Sequence, residues 1–260
     1  MSLREYHRPH DRESAASLLR RTHIITRPIF LGPRPIALHE QNWEAAVDLS
    51  RLGLAFIKRD TEGGFRMGTL TPLQDIVTSE DLQRYAGGLL PRAARMAAHL
   101  GIRNAANLGG VLTTTRGAPE LRLALMVLGA ETISEDGFIT EVRLPAQNTL
   151  TSLQRVARTP MDEAIVAVTV GLQRKDNVVA QARIAVSGIS HTPLRIESSE
   201  AILASQTLTT DLIDAVAAAA MRASDPDYSD YRGSAAYRSQ MAAVLTRRAV
   251  ESAWQHEHNE

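Results

Sequence analysis

The chain contains no cysteine among its 260 residues. Without thiols it cannot form disulfide bonds, use a cysteine nucleophile, or ligate zinc or iron–sulfur clusters through cysteine. Any redox chemistry in which the chain takes part therefore requires a cofactor that it binds.

The chain also has no net charge and few aromatic side chains. Lys and Arg together number 29, as do Asp and Glu, so the formal net charge is zero. A neutral chain presents no electrostatic footprint for nucleic acid or for an anionic membrane. Only 4% of the residues are aromatic, and we expect a core of closely packed aliphatic and alanine side chains. Partners are then expected to be recognised by shape.

Long hydrophobic runs are missing as well. The N-terminal segment is charged and has no apolar stretch of signal-peptide length, and no later run approaches the roughly 18 apolar residues of a membrane span. We expect a soluble, cytoplasmic protein without membrane insertion or nucleic-acid binding.

Common catalytic signatures are absent from the sequence. It has no Walker loop, no G-x-G-x-x-G, no H-E-x-x-H and no G-x-S-x-G elbow. The histidines near the two termini and His191, in a segment that resembles a loop, are expected to be incidental rather than metal ligands. We therefore predict neither a catalytic residue nor a metal site in this chain.

The first half of the sequence has mixed strand and helix signals. Thr71 is expected to cap a helix that has Gln74 in its first turn, and Gly101 to end another. Asp136-Gly137 is a two-residue hairpin signal. Strands are predicted at 24–30, 46–49, 54–58, 65–68 and 138–144, and helices at 89–100 and 119–128.

The second half is expected to begin after a polar linker at 146–152. Three consecutive strand patterns indicate an antiparallel meander, and helical periodicity follows it. This order favours two α+β domains over one doubly wound sheet. The predicted strands are 153–158, 164–173 and 178–188, and the predicted helices are 198–204, 210–223 and 234–252.

An Asn-Leu-Gly-Gly segment at 107–110 lies between two helix-forming stretches. Adjacent glycines can take left-handed conformations and bring successive N–H groups close to an anion, as a diphosphate cradle requires. Taken alone, the pair favours a structural turn, because turning the chain is the first use of glycine.

Several stretches together resemble the flavin-domain subunit of the molybdenum hydroxylases, the xanthine and carbon monoxide dehydrogenase family. Residues 102–110 are similar to the V/I-R-N-x-x-T-I-G-G signature of that family. The other similar stretches follow the family's order through nearly the whole chain. They are 5–9, 66–71, 141–145, 182–185, 192–195 and 230–238.

The resemblance implies an α+β fold. Residues 1–149 would form a two-subdomain FAD-binding domain of the molybdopterin-dehydrogenase (PCMH-like) type, with a possible subdivision near residue 55. Residues 150–260 would form the C-terminal domain, an antiparallel three-stranded meander packed with C-terminal helices.

The resemblance also implies FAD as the cofactor. Gly109, Gly110 and Val111 would bind its diphosphate through backbone N–H groups. Glu120 would replace the Asp that usually contacts the sugar-alcohol portion, since its carboxylate accepts the same hydroxyl protons. A carboxylate that stabilises a helix N-terminus is the alternative interpretation of Glu120.

Two further positions carry over from the family. Leu144 would pack near the flavin ring, or alternatively serve as an ordinary core residue. Arg155 stands where the family often has Lys.

The chain departs from the family at its first glycine-rich loop. The family has A-G-G-x-S/T-x-L after an early strand, where this sequence has residues 30–38. Pro33 and Pro35 have no N–H to donate. Gly32 and Arg34 remain candidate cofactor-binding residues, and Arg34 can compensate by its charge. The link from 130 to 142 is also shorter than the family's.

The resemblance implies an electron-transfer subunit, in which FAD receives electrons from iron–sulfur clusters and passes them to an external acceptor. Its partners would be a molybdopterin-binding large subunit and a small subunit with two two-iron two-sulfur clusters. The alternative is a flavin-free structural or assembly paralogue. A self-contained flavoenzyme is a third, weaker possibility, because no acid–base constellation is visible.

Overall fold

The computed structural model describes residues 3–33, 43–114, 117–160 and 162–255. The strands within these ranges are β1 (Glu5–His7), β2 (Thr26–Ile29), β3 (Ala45–Asp48), β4 (Ile57–Arg59), β5 (Phe65–Gly68), β6 (Glu131–Glu135), β7 (Phe138–Leu144), β8 (Leu150–Val156), β9 (Val166–Lys175), β10 (Val178–Ser187) and β11 (Leu194–Arg195). The helices are α1 (Arg12–Leu19), α2 (Leu73–Thr78), α3 (Glu80–Arg84), α4 (Leu89–Ala97), α5 (Leu100–Ala105), α6 (Leu108–Thr113), α7 (Pro119–Val127), α8 (Glu197–Leu203), α9 (Thr210–Arg222) and α10 (Ala235–Gln255).

The chain divides into two compact units, each built from separate segments. Unit 1 comprises Met1–Ile76, Leu100–Gly117 and Ala130–Ala146. Unit 2 comprises Val77–His99, Ala118–Gly129 and Gln147–Glu260.

Unit 1 contains a small parallel sheet in the order β1-β3-β2. Its central strand β3 is almost fully buried, as expected for a strand covered on both faces. Pro28 lies in β2, at the edge of the sheet, where a residue without an N–H is tolerated. Helix α1 follows β1 and is capped by Asp11, whose carboxylate accepts the Ser14 N–H at 2.8 Å.

A second sheet of unit 1 is antiparallel, in the order β4-β5-β7-β6. The predicted Asp136-Gly137 turn joins β6 to β7, with φ of 57° and 88° at the two residues. Positive φ at both central positions is the property of a type I′ hairpin turn. Phe138 at the start of β7 packs in a core cluster with Phe30, Val47 and other apolar residues.

Unit 2 contains an antiparallel sheet in the order β11-β10-β9-β8. Its strands β8 to β10 are the predicted meander, and the two-residue β11 adds a short fourth strand. Every residue of β9 from Val166 to Leu172 is buried. Helices α8, α9 and α10 contribute to the same apolar core as β9 and β10. The predicted α+β class with a meander and C-terminal helices is thus confirmed.

Three local predictions were wrong. The Thr71 hydroxyl does not cap a helix but exchanges hydrogen bonds with the Phe56 backbone, at 2.8 and 3.1 Å. The helix predicted at 89–100 ends at Ala97 because Ala98 is extended, and Gly101 lies inside α5. The linker expected at 146–152 is shorter, since β8 begins at Leu150.

The helices among the described residues are all too short or too polar to cross a membrane.

Candidate functional site

The glycine pair lies inside a helix rather than in a turn. Gly109 and Gly110 occupy the first turn of α6, and neither has positive φ. Asn107 caps this helix in an extended conformation, and its side-chain oxygen accepts the Gly110 N–H at 2.9 Å. The left-handed conformation expected for these glycines is therefore absent, because the Asn cap begins a helix there.

Both glycines allow another part of unit 1 to approach the backbone of α6. A Cβ at Gly109 would stand 2.4 Å from the ring of Phe30, and a Cβ at Gly110 would stand 2.1 Å from the carbonyl oxygen of Leu31. Real Cβ atoms do not approach other atoms so closely. Glycine is thus required at both positions by packing against the segment that follows β2.

The N–H groups assigned to the diphosphate have acceptors within the chain. The Gly109 N–H donates to Thr69 O at 2.6 Å, and the Gly110 N–H donates to the Asn107 side chain. The Val111 N–H donates to Asn107 O at 3.2 Å, the first hydrogen bond of the helix. The packing that requires glycine thus also gives these three N–H groups acceptors within the chain, and their assignment to the FAD diphosphate stays a prediction.

The first glycine-rich segment lies against α6. The Asn107 N–H donates to Leu31 O at 2.7 Å. A Cβ at Gly32 would stand 3.1 Å from Thr114 Cγ2 and 3.2 Å from Gly110 O. The two segments that the resemblance assigns to the diphosphate are therefore in direct contact in unit 1. Arg34 lies outside the described residues.

Leu144, the residue expected near the flavin ring, also belongs to unit 1. It ends β7, pairs with Phe65 in β5 and is 1% exposed. This burial fits a core residue, and its assignment to the flavin stays a prediction.

Unit 2 contains the other two predicted site residues, and it brings them together. Pro119 occupies the first turn of α7, and Glu120 follows it with only 1% exposure. Arg155 reaches from β8, and its Nε lies 3.0 Å from Glu120 Oε1. Their geometry is that of an ion pair without a well-directed hydrogen bond, so both atoms lack a hydrogen-bond partner among the described residues.

The environment of Glu120 determines its charge. Burial is the largest effect and raises the pKa of the carboxyl above its ordinary value, although the positive charge of Arg155 opposes it. The negative charge of Glu163 raises it further. A buried carboxylate oxygen without a hydrogen-bond donor is an acceptor for a hydroxyl, which fits the sugar-alcohol portion of FAD.

Unit 2 contains a second polar cluster, which the sequence did not predict. Arg238 in α10 is 1% exposed and donates to Ile165 O at 2.7 Å and to Gly188 O at 2.8 Å. It also forms an ion pair with Asp230, which accepts from Arg232 Nη2 at 2.8 Å. Arg238 therefore joins the connection before β9 and the connection after β10 to the loop that precedes α10.

The charge of Asp230 is strongly stabilised. Partial burial raises its pKa, but hydrogen bonds from Arg232 and the charge of Arg238 outweigh this effect and lower it to about 2. The sequence signal for the cluster was the stretch 230–238, which carries these residues but gave no indication that Arg238 is buried.

Comparison with known proteins places the chain in a family. Residues 2–172 match the family described as FAD binding domain in molybdopterin dehydrogenase, and residues 151–253 match the CO dehydrogenase flavoprotein C-terminal domain. Because the first match covers more than half of the chain, the chain belongs to the FAD-binding domain family of molybdopterin dehydrogenases. The predicted family and the FAD cofactor are confirmed.

Individual relatives agree with this assignment. The carbon monoxide dehydrogenase medium chain of Hydrogenophaga pseudoflava is 26% identical over 279 residues, covering 96% of each chain. The glyceraldehyde dehydrogenase medium chain of Sulfolobus acidocaldarius is 24% identical over 230 residues, 79% of this chain and 81% of the relative.

A solved structure shows the same fold. The structure of carbon monoxide dehydrogenase from Hydrogenophaga pseudoflava that lacks the Mo-pyranopterin moiety has a matching chain with a TM-score of 0.85 and 24% identity. The match covers 97% of this chain and 98% of that one.

Proposed function

We propose that the chain is the FAD-dependent electron-transfer subunit of a molybdenum hydroxylase-type oxidoreductase complex in the cytoplasm. Bound FAD would supply the redox chemistry, because it can take electrons from iron–sulfur clusters and give them to an external acceptor. The chain has no cysteine to ligate such clusters. Partner subunits, a large one with molybdopterin and a small one with two two-iron two-sulfur clusters, would supply the rest.

The observation that carries this proposal is the match of residues 2–172, about two thirds of the chain, to an FAD-binding family. The relatives are medium chains of dehydrogenases named for different substrates, carbon monoxide and glyceraldehyde. Because enzymes with such different substrates have similar medium chains, we expect the medium chain to transfer electrons and another subunit to select the substrate.

Glu120 gives the proposal its support within the structure. Its Oε1 atom is buried and has no hydrogen-bond donor among the described residues. A hydroxyl of the cofactor's sugar alcohol would satisfy this oxygen, and a hydrogen bond to a carboxylate is stronger than one to a neutral acceptor. We also propose that the FAD diphosphate binds at the contact between the two glycine segments of unit 1. The residues assigned to it are Gly32, Gly109, Gly110 and Val111.

We keep the sequence-domain boundary near residue 149 as part of the proposal. The match to the C-terminal family begins at residue 151, which supports it.

The second candidate function is a flavin-free structural or assembly subunit. Two observations favour it. The N–H groups of 109–111 already donate to acceptors within the chain. Pro33, in the segment that replaces the family's first glycine-rich loop, has no N–H. This alternative predicts association with a large molybdenum subunit without any flavin.

Flavin quantification distinguishes the two functions. The complex is isolated by a tag on this chain under native conditions, its subunits are identified, and the flavin released on denaturation is measured per chain. One FAD per chain, together with both partner subunits, is expected. A complex that contains the large subunit but no flavin contradicts electron transfer by this chain and supports the assembly role.

A further inference from the structure

The guanidinium of Arg155 is directed at protein acceptors. Its Nε lies 3.0 Å from Glu120 Oε1. Its Nη1 donates to Pro160 O at 2.9 Å, and its Nη2 donates to Asp162 O. All three nitrogens thus face groups of this chain, and the side chain is only 13% exposed.

Two of these acceptors lie in the connection between β8 and β9. Two backbone carbonyls of this connection therefore hold the guanidinium in place, in addition to its contact with Glu120. A planar guanidinium with its donors fixed in a fork loses little freedom when it makes such contacts. Arg155 therefore presents a fixed positive charge to Glu120.

Glu120 needs that charge. Glu120 is only 1% exposed, and an isolated carboxylate at such a site would take up a proton rather than remain ionised. Among the described residues, the charged groups that act on it are Arg155 and Glu163, and Glu163 opposes ionisation. Arg183 of β10, which also packs on α7, contacts Val127 O at the opposite end of that helix.

We infer that Arg155 is a positioning residue that acts on the cofactor through Glu120: it keeps the Glu120 carboxylate ionised and directs it toward the hydroxyl groups of the sugar alcohol. The inference rests on the proposed function. It replaces the expectation that Arg155 itself binds FAD, because its donors are already directed at protein acceptors.

A purely structural role is the competing explanation. In that role Arg155 would only tether the β8–β9 connection, and its loss would weaken FAD binding equally at every pH. Action through Glu120 has a different signature, because it depends on whether one carboxyl is ionised.

The test measures FAD affinity from pH 5 to pH 9 in the full chain by quenching of flavin fluorescence. Arg155→Met removes the counter-charge, which raises the pKa of Glu120. We expect the affinity for FAD to be about tenfold weaker at neutral pH, because the loss of a hydrogen bond to a charged group has an effect of this size. The deficit should shrink as the pH rises, because Glu120 then ionises without help. Arg155→Lys, which keeps the charge, should retain the wild-type profile.

Combination with Glu120→Gln makes the test specific. Glu120→Gln alone should weaken binding without the pH dependence, and Arg155→Met should add little in the Glu120→Gln background. The exposed pair Glu80 and Arg84 in α3, 3.7 Å apart, provides the matched controls Glu80→Gln and Arg84→Met. Neither control should change FAD affinity. Should Arg155→Met fail to fold, Arg155→Gln removes the charge and keeps a donor for the connection.

Two results would overturn the inference in distinguishable ways. Wild-type protein that binds FAD, with an Arg155→Met deficit that is constant with pH and equally large in the Glu120→Gln background, would leave the proposed function standing and reduce Arg155 to a tether. Wild-type protein that binds no FAD at any pH would overturn the proposed function and this role together.

Discussion

Some residues whose sequence pattern suggests ligand binding are needed for the packing of the backbone. Gly110 is such a residue, because the carbonyl of Leu31 occupies the space that a side chain would need. An alanine there must displace backbone on one of two packed segments. The contact therefore predicts a loss of folding stability that does not depend on any cofactor.

Gly110→Ala is expected to lower the free energy of unfolding by on the order of 2 to 3 kcal/mol, the cost of inserting a methyl group into a packed interior. Urea denaturation followed by circular dichroism measures it. Gly101→Ala is the control, since Gly101 is exposed within α5 and alanine favours helix there. Equal stability of wild type and Gly110→Ala would contradict the packing explanation.

Asp230 gives a prediction about acid stability. Its pKa is about 2 in the folded chain against an ordinary 3.8. A lowered folded-state pKa contributes stability that is complete above about 4 and is lost as the pH falls toward 2. Asp230→Asn should cost about 2 kcal/mol at pH 7, the free energy that corresponds to this lowering of the pKa.

The difference between wild type and Asp230→Asn should narrow between pH 4 and pH 3 in urea titrations. Asp227→Asn, an exposed carboxylate of the same loop, is the control and should change little. A difference that stays constant down to pH 3 would show that the ion pair does not control stability.

At the scale of elements, the hairpin between β6 and β7 is the clearest case in which sequence chemistry determines geometry. Asp136 and Gly137 alone form the turn, since Glu135 pairs directly with Phe138. A side chain at Gly137 would meet no atom within 4 Å. Any effect of substitution there comes from the backbone conformation.

Gly137→Ala should therefore destabilise the chain by about 1 to 2 kcal/mol, the cost of a left-handed conformation for a residue with a Cβ. Asp136→Gly, which permits positive φ, is expected to be nearly neutral. The comparison is a thermal unfolding experiment on both variants. A Gly137→Ala variant as stable as wild type would mean that the turn relaxes to another type.

Elements defined by local chemistry were predictable from the sequence, and others were not. The 136–137 turn and the meander follow from residue types and alternation that act over a few positions. The helical state of Gly109 and Gly110 had a local signal too, the N-cap residue Asn107, but the glycine pair suggested a turn. The pairing of Glu120 with Arg155 had none, because it depends on the tertiary fold that brings residues of α7 and β8 together.

For the molecule as a whole, the two compact units are each assembled from segments far apart in the sequence. Unit 2, for example, combines α4 and α7 with the chain from residue 147 onward. Local signals do not reveal such an arrangement. The family resemblance gave two consecutive domains divided near residue 149, and that division stays a prediction.

FAD binding should stabilise the whole chain if the proposed function is right. A ligand at 100 times its dissociation constant contributes about 2.7 kcal/mol to the folded state. For a chain of this size that raises Tm by roughly 5 to 10 °C. Differential scanning fluorimetry with increasing FAD measures the rise. ADP, which carries a diphosphate but no sugar alcohol or flavin, should give a smaller shift. An unchanged Tm at saturating FAD would contradict cofactor binding.

The helix that contains the glycine pair has a consequence for how such chains diverge. Because α6 cannot pack against the segment after β2 without glycine at 109 and 110, selection for folding alone would preserve both residues. A descendant that had lost its cofactor would keep this signature unchanged over long divergence. The acidic residue at position 120 would be lost first, because a buried carboxylate is costly and no cofactor would then select for it. Genome surveys for functional flavin subunits should therefore give more weight to an acidic residue at 120 than to the glycines.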